Sequence, residues 1–305
     1  MYTFDEIKTH LKNIGQQQRK VIAVAAAGDK VVLETIKTIN ELGIGRGILI
    51  GDADKIKACA EETGCDLAEN TIVNEKDEGR AATLAVQRVK DGEADILMKG
   101  LLQTKTYLQA VLNREYGLRT GKLLNAVTAF EAPALGRMLL ATDCGMIVAP
   151  SLKDKIEMIG NAVTLARALG CDLPKVSCVG AVETVNDNMA DGMDAAILSK
   201  MNDRGQIKGC VVDGPLSLDL SISKRSVAHK GVVSPVAGQA DILLMPNLQA
   251  GNIFWKTMTY MGGAQSGAVI MGTARPVVLT SRADTAQAKV NAIALALMLS
   301  EYQKA

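Results

Sequence analysis

The 305-residue chain reads as α/β, built from doubly wound parallel sheet with helices on both faces. Short apolar runs alternate with segments of helical spacing along nearly all of it, an order that calls for that architecture. The interior is drawn from small and aliphatic residues, since 48% of the chain is hydrophobic and only 3% aromatic, which suits helices packed closely on a sheet. One strand–turn–helix design also occurs twice, at Ala94–Thr104 and Ala240–Ala250, sharing Ala, Asp, Ile, Leu, Leu and Gln without gaps. Chance similarity of two buried strands is the competing reading of that match.

In chain order, Phe4, Ile7, Leu11 and Ile14 keep helical spacing up to Gly15. Lys20–Ala27 is a strand, Asp29 or Lys30 opens a helix to Gly43, and Arg46–Gly51 is the next strand. A helix over Asp54–Thr63, a short strand at Thr71–Val73 and a helix over Asp77–Lys90 lead to the strand after Ala94. The rhythm breaks at Asn125–Phe130 and Arg137–Thr142, two strand-like runs around a short turn, as in an antiparallel pair. Alternation then resumes, with helices over Asp154–Leu169, Ala190–Met201 and Leu216–Ala228 and strands at Lys175–Ala181 and Ile207–Asp213. Gly214-Pro215 reads as a strand-to-helix turn. Strands at Ala268–Met271 and Pro276–Thr280 precede a final helix, Asp284–Tyr302, expected to return to the first domain. The expected domains are therefore 1–125 plus 275–305, and 126–274.

The stretch Ala240–Lys256 holds the most specific signal. Asp241–Met245 is long enough for a buried strand and too short for a buried helix, and Pro246 ends it for want of an N–H. Asn247, Gln249, Gly251 and Asn252 then read as a polar turn, with Ile253, Phe254, Met258 and Met261 resuming at helical spacing. The turn falls at the carboxyl end of a strand, where open α/β sheets bind ligands. Ligand recognition and an ordinary connection are both consistent with it. In the upstream copy, Lys99-Gly100 sits at the strand tip and Thr104 is placed to cap the next helix.

Composition excludes several classes. The 34 basic and 33 acidic residues are interspersed at net charge +1, leaving no broad basic face for nucleic acid. The apolar runs are far below membrane-spanning length, and Met1–Asn13 is charged and amphipathic with no export signal, so a cytoplasmic location is expected. Six cysteines at irregular spacing make neither a metal pattern nor a disulfide framework. Gly43-Ile-Gly-Arg-Gly47 precedes a strand and so is no dinucleotide fingerprint. Gly117–Lys122 lacks phosphate-loop spacing, no Gly-x-Ser-x-Gly elbow is present, and two histidines in all offer no triad or zinc site.

Other residues carry chemistry of their own. Ser281-Arg282-Ala-Asp284-Thr285 follows a strand and opens a long helix, where free N–H groups and an Arg fork favour an anion. A Ser hydroxyl there can hold the same anion or a developing negative charge. The plain alternative is an N-cap at Asp284 or Thr285 with Arg282 solvated. Asp213 and Asp219 offer carboxylates at a strand tip and one turn into a helix, and Lys230 is a better candidate than the adjacent His229. The acidic run Asp187–Asp194 hints at a cation, although acid-rich helix starts are usually solvated.

Together Ala240–Lys256, Gly272–Arg282, Gly214-Pro-Leu-Ser-Leu-Asp219 and Ala94–Gly100 resemble the phosphate acetyl/butyryltransferase family over nearly the whole chain. Met98–Thr104 and Thr280–Asp284 are more similar to its butyryl branch. The resemblance implies two α/β domains around a cleft, like isocitrate and isopropylmalate dehydrogenases, in a homodimer or larger assembly. It implies reversible acyl transfer between CoA and phosphate, with no cofactor or metal. Arg282 would then hold phosphate and Ser281 would stabilise the thiolate or carbonyl oxyanion. Lys99, Gly100, Thr104, Asp219, Lys230, Asn247, Gln249, Gly251, Asn252 and Lys256 would line the substrate. Ala288 stands where acetyl-type members carry a proposed base, which leaves Asp284 as a substitute. Gln109 stands where they use an Arg, which leaves Lys99 and Lys256 as auxiliary cations. A metal- and NAD(P)-dependent hydroxyacid dehydrogenase on the same fold, an acetyl-specific member of the family and a non-catalytic acyl-CoA or phosphate sensor are the competing readings.

Overall fold

The structure is a computed structural model and describes residues 1–16, 19–280 and 284–304. The chain divides into two compact units, one of Phe4–Lys122 with Gly267–Ala305, the other of Met1–Thr3 with Leu123–Ser266. The divisions fall at 122/123 and 266/267, against sequence expectations of 125/126 and 274/275.

The first unit holds β1 (Lys20–Ala25), β2 (Gly45–Gly51), β3 (Thr71–Asn74) and β4 (Ile96–Lys99), with α1 (Phe4–Gly15), α2 (Lys30–Glu41), α3 (Ala53–Thr63), α4 (Glu78–Lys90) and α5 (Thr104–Val111). Its strand order is β3-β2-β1-β4, all parallel. The chain steps outward from β1 to β3 and then jumps back to β4. Right-handed crossovers therefore put α4 on the face opposite α2 and α3, and create a switch point between the carboxyl ends of β1 and β4. Asp29, Asp52 and Asp77 start α2, α3 and α4, each accepting a backbone N–H from the helix it caps.

The second unit contributes β5 (Asn125–Glu131), β6 (Met138–Thr142), β7 (Lys175–Val179), β8 (Val211–Leu216) and β9 (Ile242–Leu244) in the order β5-β6-β9-β7-β8. β5 and β6 are the antiparallel pair that the sequence indicates, and the other pairings are parallel. Its helices are α6 (Leu152–Ala168), α7 (Ala190–Asp203), α8 (Leu218–Ile222), α9 (Lys224–Lys230) and α10 (Leu248–Tyr260). Phe130 and Phe254 meet edge-to-face, ring centroids 5.4 Å apart, inside its core. The chain then returns to the first unit through β10 (Gln265–Met271), antiparallel to β11 (Val277–Val278), and α11 (Ala286–Lys304), which is buried on every side from Lys289 to Ser300. β11 pairs in parallel with β4.

Three expectations are corrected. The polar residues after Pro246 do not form a turn: α10 starts at Leu248, so Gln249, Gly251 and Asn252 are helical. Gly214-Pro215 is not a strand-to-helix turn but lies within β8, an edge strand of its unit with an irregular register to β7, where a missing N–H costs little. The single helix expected over Leu216–Ala228 is two short helices parted at Ser223, which closes α8 and caps α9 through its side chain.

Candidate active site

In the first unit, the switch point is built by a tight splice of two strand ends. The Gly100 N–H donates to Ala25 O at 2.8 Å and the Leu101 N–H to Ala26 O at 2.8 Å. A Cβ on Gly100 would lie 2.2 Å from Ala26 O and 2.6 Å from Ala25 O, so only glycine fits. Ala26 itself takes φ +57°, a left-handed conformation rare for a residue with a side chain. This splice turns β4 so that Lys99 is 3% exposed, its Nζ 3.3 Å from Gly100 O.

An open pocket lies beside that splice. Lys99, Gly100, Leu101 and Thr280 line it together with Asp29, Val31 and Val32 at the start of α2 and Lys289 in the first turn of α11. Lys289 is 4% exposed and donates to Asp284 O at 3.1 Å. Burial pushes its ammonium below the ordinary lysine range, while the Asp284 and Asp29 charges pull the other way. Thr285 caps the helix start, accepting the Ala288 N–H at 3.2 Å. Ser281 and Arg282 lie outside the described residues. Thr104 is exposed and is the first residue of α5 rather than its cap; Gln103 holds that position without a side-chain hydrogen bond.

In the second unit the polar residues of α10 are engaged in holding the helix. Asn247 Oδ1 accepts the Ala250 N–H at 3.0 Å. Gly251 lets α10 rest on the loop after β6, where a Cβ would meet Asp143 O at 2.2 Å, and Asn252 Nδ2 donates to Cys144 O at 3.3 Å. The loop is in turn fixed by Asp143, whose carboxylate accepts the N–H groups of Ala126, Gly145 and Met146 at 2.6–2.8 Å. Burial raises the Asp143 carboxyl above the ordinary range against those hydrogen bonds. Gln249 is exposed. Lys256 Nζ lies 4.4 Å from the Trp255 ring centre and 5.8 Å from that of Tyr260.

Asp219 and Lys230 come together with Ser217 and Glu183 on an exposed face. Ser217 Oγ donates to Asp219 at 2.6 Å, and Lys230 Nζ lies 3.4 Å from Asp219 and 3.7 Å from Glu183. The Ser217 hydrogen bond and the Lys230 charge hold the Asp219 carboxyl below its usual range. Asp213 Oδ1 accepts from Ser199 and from the Gly214 N–H, a structural arrangement. Asp194, in the acidic run, pairs with buried Lys155 at 2.7 Å. Among the described residues no helix is long and apolar enough to cross a membrane.

Lys289 is the residue that sequence reasoning missed. A cation set in the apolar run Ala286–Met298, with no other before Lys304, was the available signal.

Fold and cavity define an α/β protein with a pocket at a parallel-sheet switch point, lined by Lys99, Lys289 and Asp29. Residues 78–297 match the family model described as "Phosphate acetyl/butaryl transferase". The chain is 47% identical to a phosphate butyryltransferase from Clostridium beijerinckii, covering 99% of each chain. It is 41% identical to a phosphate acetyltransferase from Thermotoga maritima, over 95% of this chain and 98% of the other. Among solved structures, a branched-chain phosphotransacylase from Enterococcus faecalis V583 superposes with TM-score 0.82 at 33% identity, covering 92% of this chain and 99% of that one. The chain belongs to the phosphate acetyl/butyryl transferase family.

Proposed function

We propose that this chain transfers a short acyl group, butyryl or branched, reversibly between CoA and inorganic phosphate. The observation that carries the reading is the end-to-end likeness to a phosphate butyryltransferase. An open cavity lined by two buried lysines at the switch point of the first unit supports it, because every form of the reaction handles a phosphate oxyanion. A phosphate oxygen attacks the thioester carbonyl carbon, and the carbonyl oxygen takes up negative charge. The C–S bond then breaks, leaving acyl phosphate and a thiolate that takes a proton to become free CoA. Arg282 is assigned to phosphate, Ser281 to the oxyanion or thiolate, and Asp284 to proton transfer. Proximity and fixed electrostatics supply the acceleration without a covalent intermediate or a cofactor. The finer fold reading, two domains facing a cleft in the manner of isocitrate dehydrogenase, belongs to this proposal, as do a homo-oligomeric assembly and a cytoplasmic location.

The test is phosphate-dependent release of thiol from acetyl-, butyryl- and isobutyryl-CoA, with Ser281→Ala and Arg282→Ala alongside. Fastest release with a four- or five-carbon acyl group, largely lost in both variants, is the expected result. Thiol release without phosphate would make the protein a thioesterase, and no release would end the reading.

A further inference from the structure

We propose that Leu101 sets which acyl chains the protein accepts, its side chain being the wall on which the aliphatic end of the substrate lies in the pocket at the β1/β4 switch point. The proposal rests on the acyl-transfer reading above and deepens it. Two leucines follow the splice in succession, and the fold treats them differently. Leu102 is 1% exposed, whereas Leu101 is 44% exposed. The hydrogen bond from the Leu101 N–H to Ala26 O sets that side chain on fixed backbone rather than on a free loop.

Single exposed leucines are ordinary on a protein surface. What marks this one is that it lines two pockets at once. On one side is the pocket beside the splice, where Val31 and Val32 at the start of α2 continue its apolar surface. On the other is a second pocket at the carboxyl ends of β1, β2 and β3, whose lining carries the charges of Asp52, Lys55, Glu75 and Lys76. Leu101 is the side chain the two have in common. A short aliphatic chain lying on Leu101, Val31 and Val32 removes apolar surface from water, and each methylene in contact strengthens binding. A longer chain must displace Leu101 or run on into the second pocket, where burying charged groups under methylenes is costly. The wall therefore favours added carbons up to a limit and rejects them beyond it.

Leu101→Ala removes the wall and Leu101→Phe thickens it, at a position too exposed for either change to empty or overfill the core. The deciding experiment is kcat/KM for phosphate-dependent thiol release from acetyl-, butyryl- and hexanoyl-CoA in the wild type and both variants. Leu112→Ala is the control, since Leu112 is 36% exposed at the end of α5 and lines neither pocket. In Leu101→Ala the butyryl-to-acetyl ratio is expected to fall about 10-fold and the hexanoyl-to-butyryl ratio to rise about 10-fold, the range one or two methylenes command. Leu101→Phe should lower both ratios, and it reads the same wall should Leu101→Ala fail to fold. Ratios within about 3-fold of wild type in both variants, with activity altered equally for every acyl group, overturn the proposal. An equal shift in Leu112→Ala overturns it too. If the wild type releases thiol without phosphate, the acyl-transfer reading fails, while the same ratios taken on hydrolysis still decide the wall. If it releases none from any acyl-CoA, both fall.

Discussion

Gly251→Ala sets two physical effects against each other in the most specific stretch of the sequence. Within a helix, replacing Gly by Ala should stabilise by about 1 kcal/mol, because glycine loses more backbone freedom on folding. At position 251 the new Cβ would lie 2.2 Å from Asp143 O and 3.1 Å from Cys144 Cα, all backbone atoms that cannot rotate aside. Overpacking of that kind costs about 1–3 kcal/mol. Lifting α10 off the loop also breaks the 3.3 Å hydrogen bond from Asn252 Nδ2 to Cys144 O, about 1 kcal/mol more. The clash wins, with a net loss of about 1–3 kcal/mol. Gly160 is the internal control: it lies in α6 of the same unit, and an added Cβ meets nothing within 4 Å. Gly160→Ala should therefore stabilise by up to about 1 kcal/mol. Urea unfolding followed by the fluorescence of Trp255, the sole tryptophan and itself on α10, reads both variants. With an m-value of about 2 kcal/mol/M, the midpoint falls by about 1 M for Gly251→Ala and rises slightly for Gly160→Ala. If Gly251→Ala unfolds at the wild-type midpoint or above, α10 does not rest on Asp143 and the structural account of its glycine is wrong.

Gly100→Ala should cost about 2–4 kcal/mol, since the Cβ meets two carbonyl oxygens and forces apart the paired hydrogen bonds of the β1/β4 splice; a thermal melt within a degree of wild type would refute the splice. Lys289 gives a pH dependence of known sign. Its folded-state pKa lies below the ordinary 10.5, so between the two values the unfolded chain holds more protons and stability rises with pH. Chemical denaturation across that window should show this slope in wild type and lose it in Lys289→Met; superimposable curves would refute it. Finally, burial pushes the thiols of Cys178 and Cys210 up to about 12 and about 11, and that of Cys144 higher still. A disulfide reagent at pH 8 should therefore modify these three only on unfolding, and rapid titration of all six cysteines in native protein would contradict the packing.

What could be read in advance follows the range of the interaction concerned. The strand–helix alternation, the antiparallel pair at β5 and β6 and a helix start at Asp29 or Lys30 are local patterns, and they were legible. Pro215 was misread because nothing in a sequence says which strand will lie at an edge, the one setting in which a missing N–H is cheap. Gln249, Gly251 and Asn252 were misread for a related reason. Gly and Asn are poor helix formers in isolation, but here the cap at Asn247 and the loop at Asp143 decide the conformation. The candidate site divides the same way. Lys99 and Gly100 announced themselves as polar and glycine residues at a strand tip. Lys289 carries no such local mark, since its meaning depends on α11 being buried all round and on its first turn reaching the cavity beside β4. A lysine at a surface helix start is solvated and inert. The same residue with 4% of its surface exposed is instead held by its surroundings, donating to Asp284 O and feeling the Asp284 and Asp29 charges against the cost of its burial.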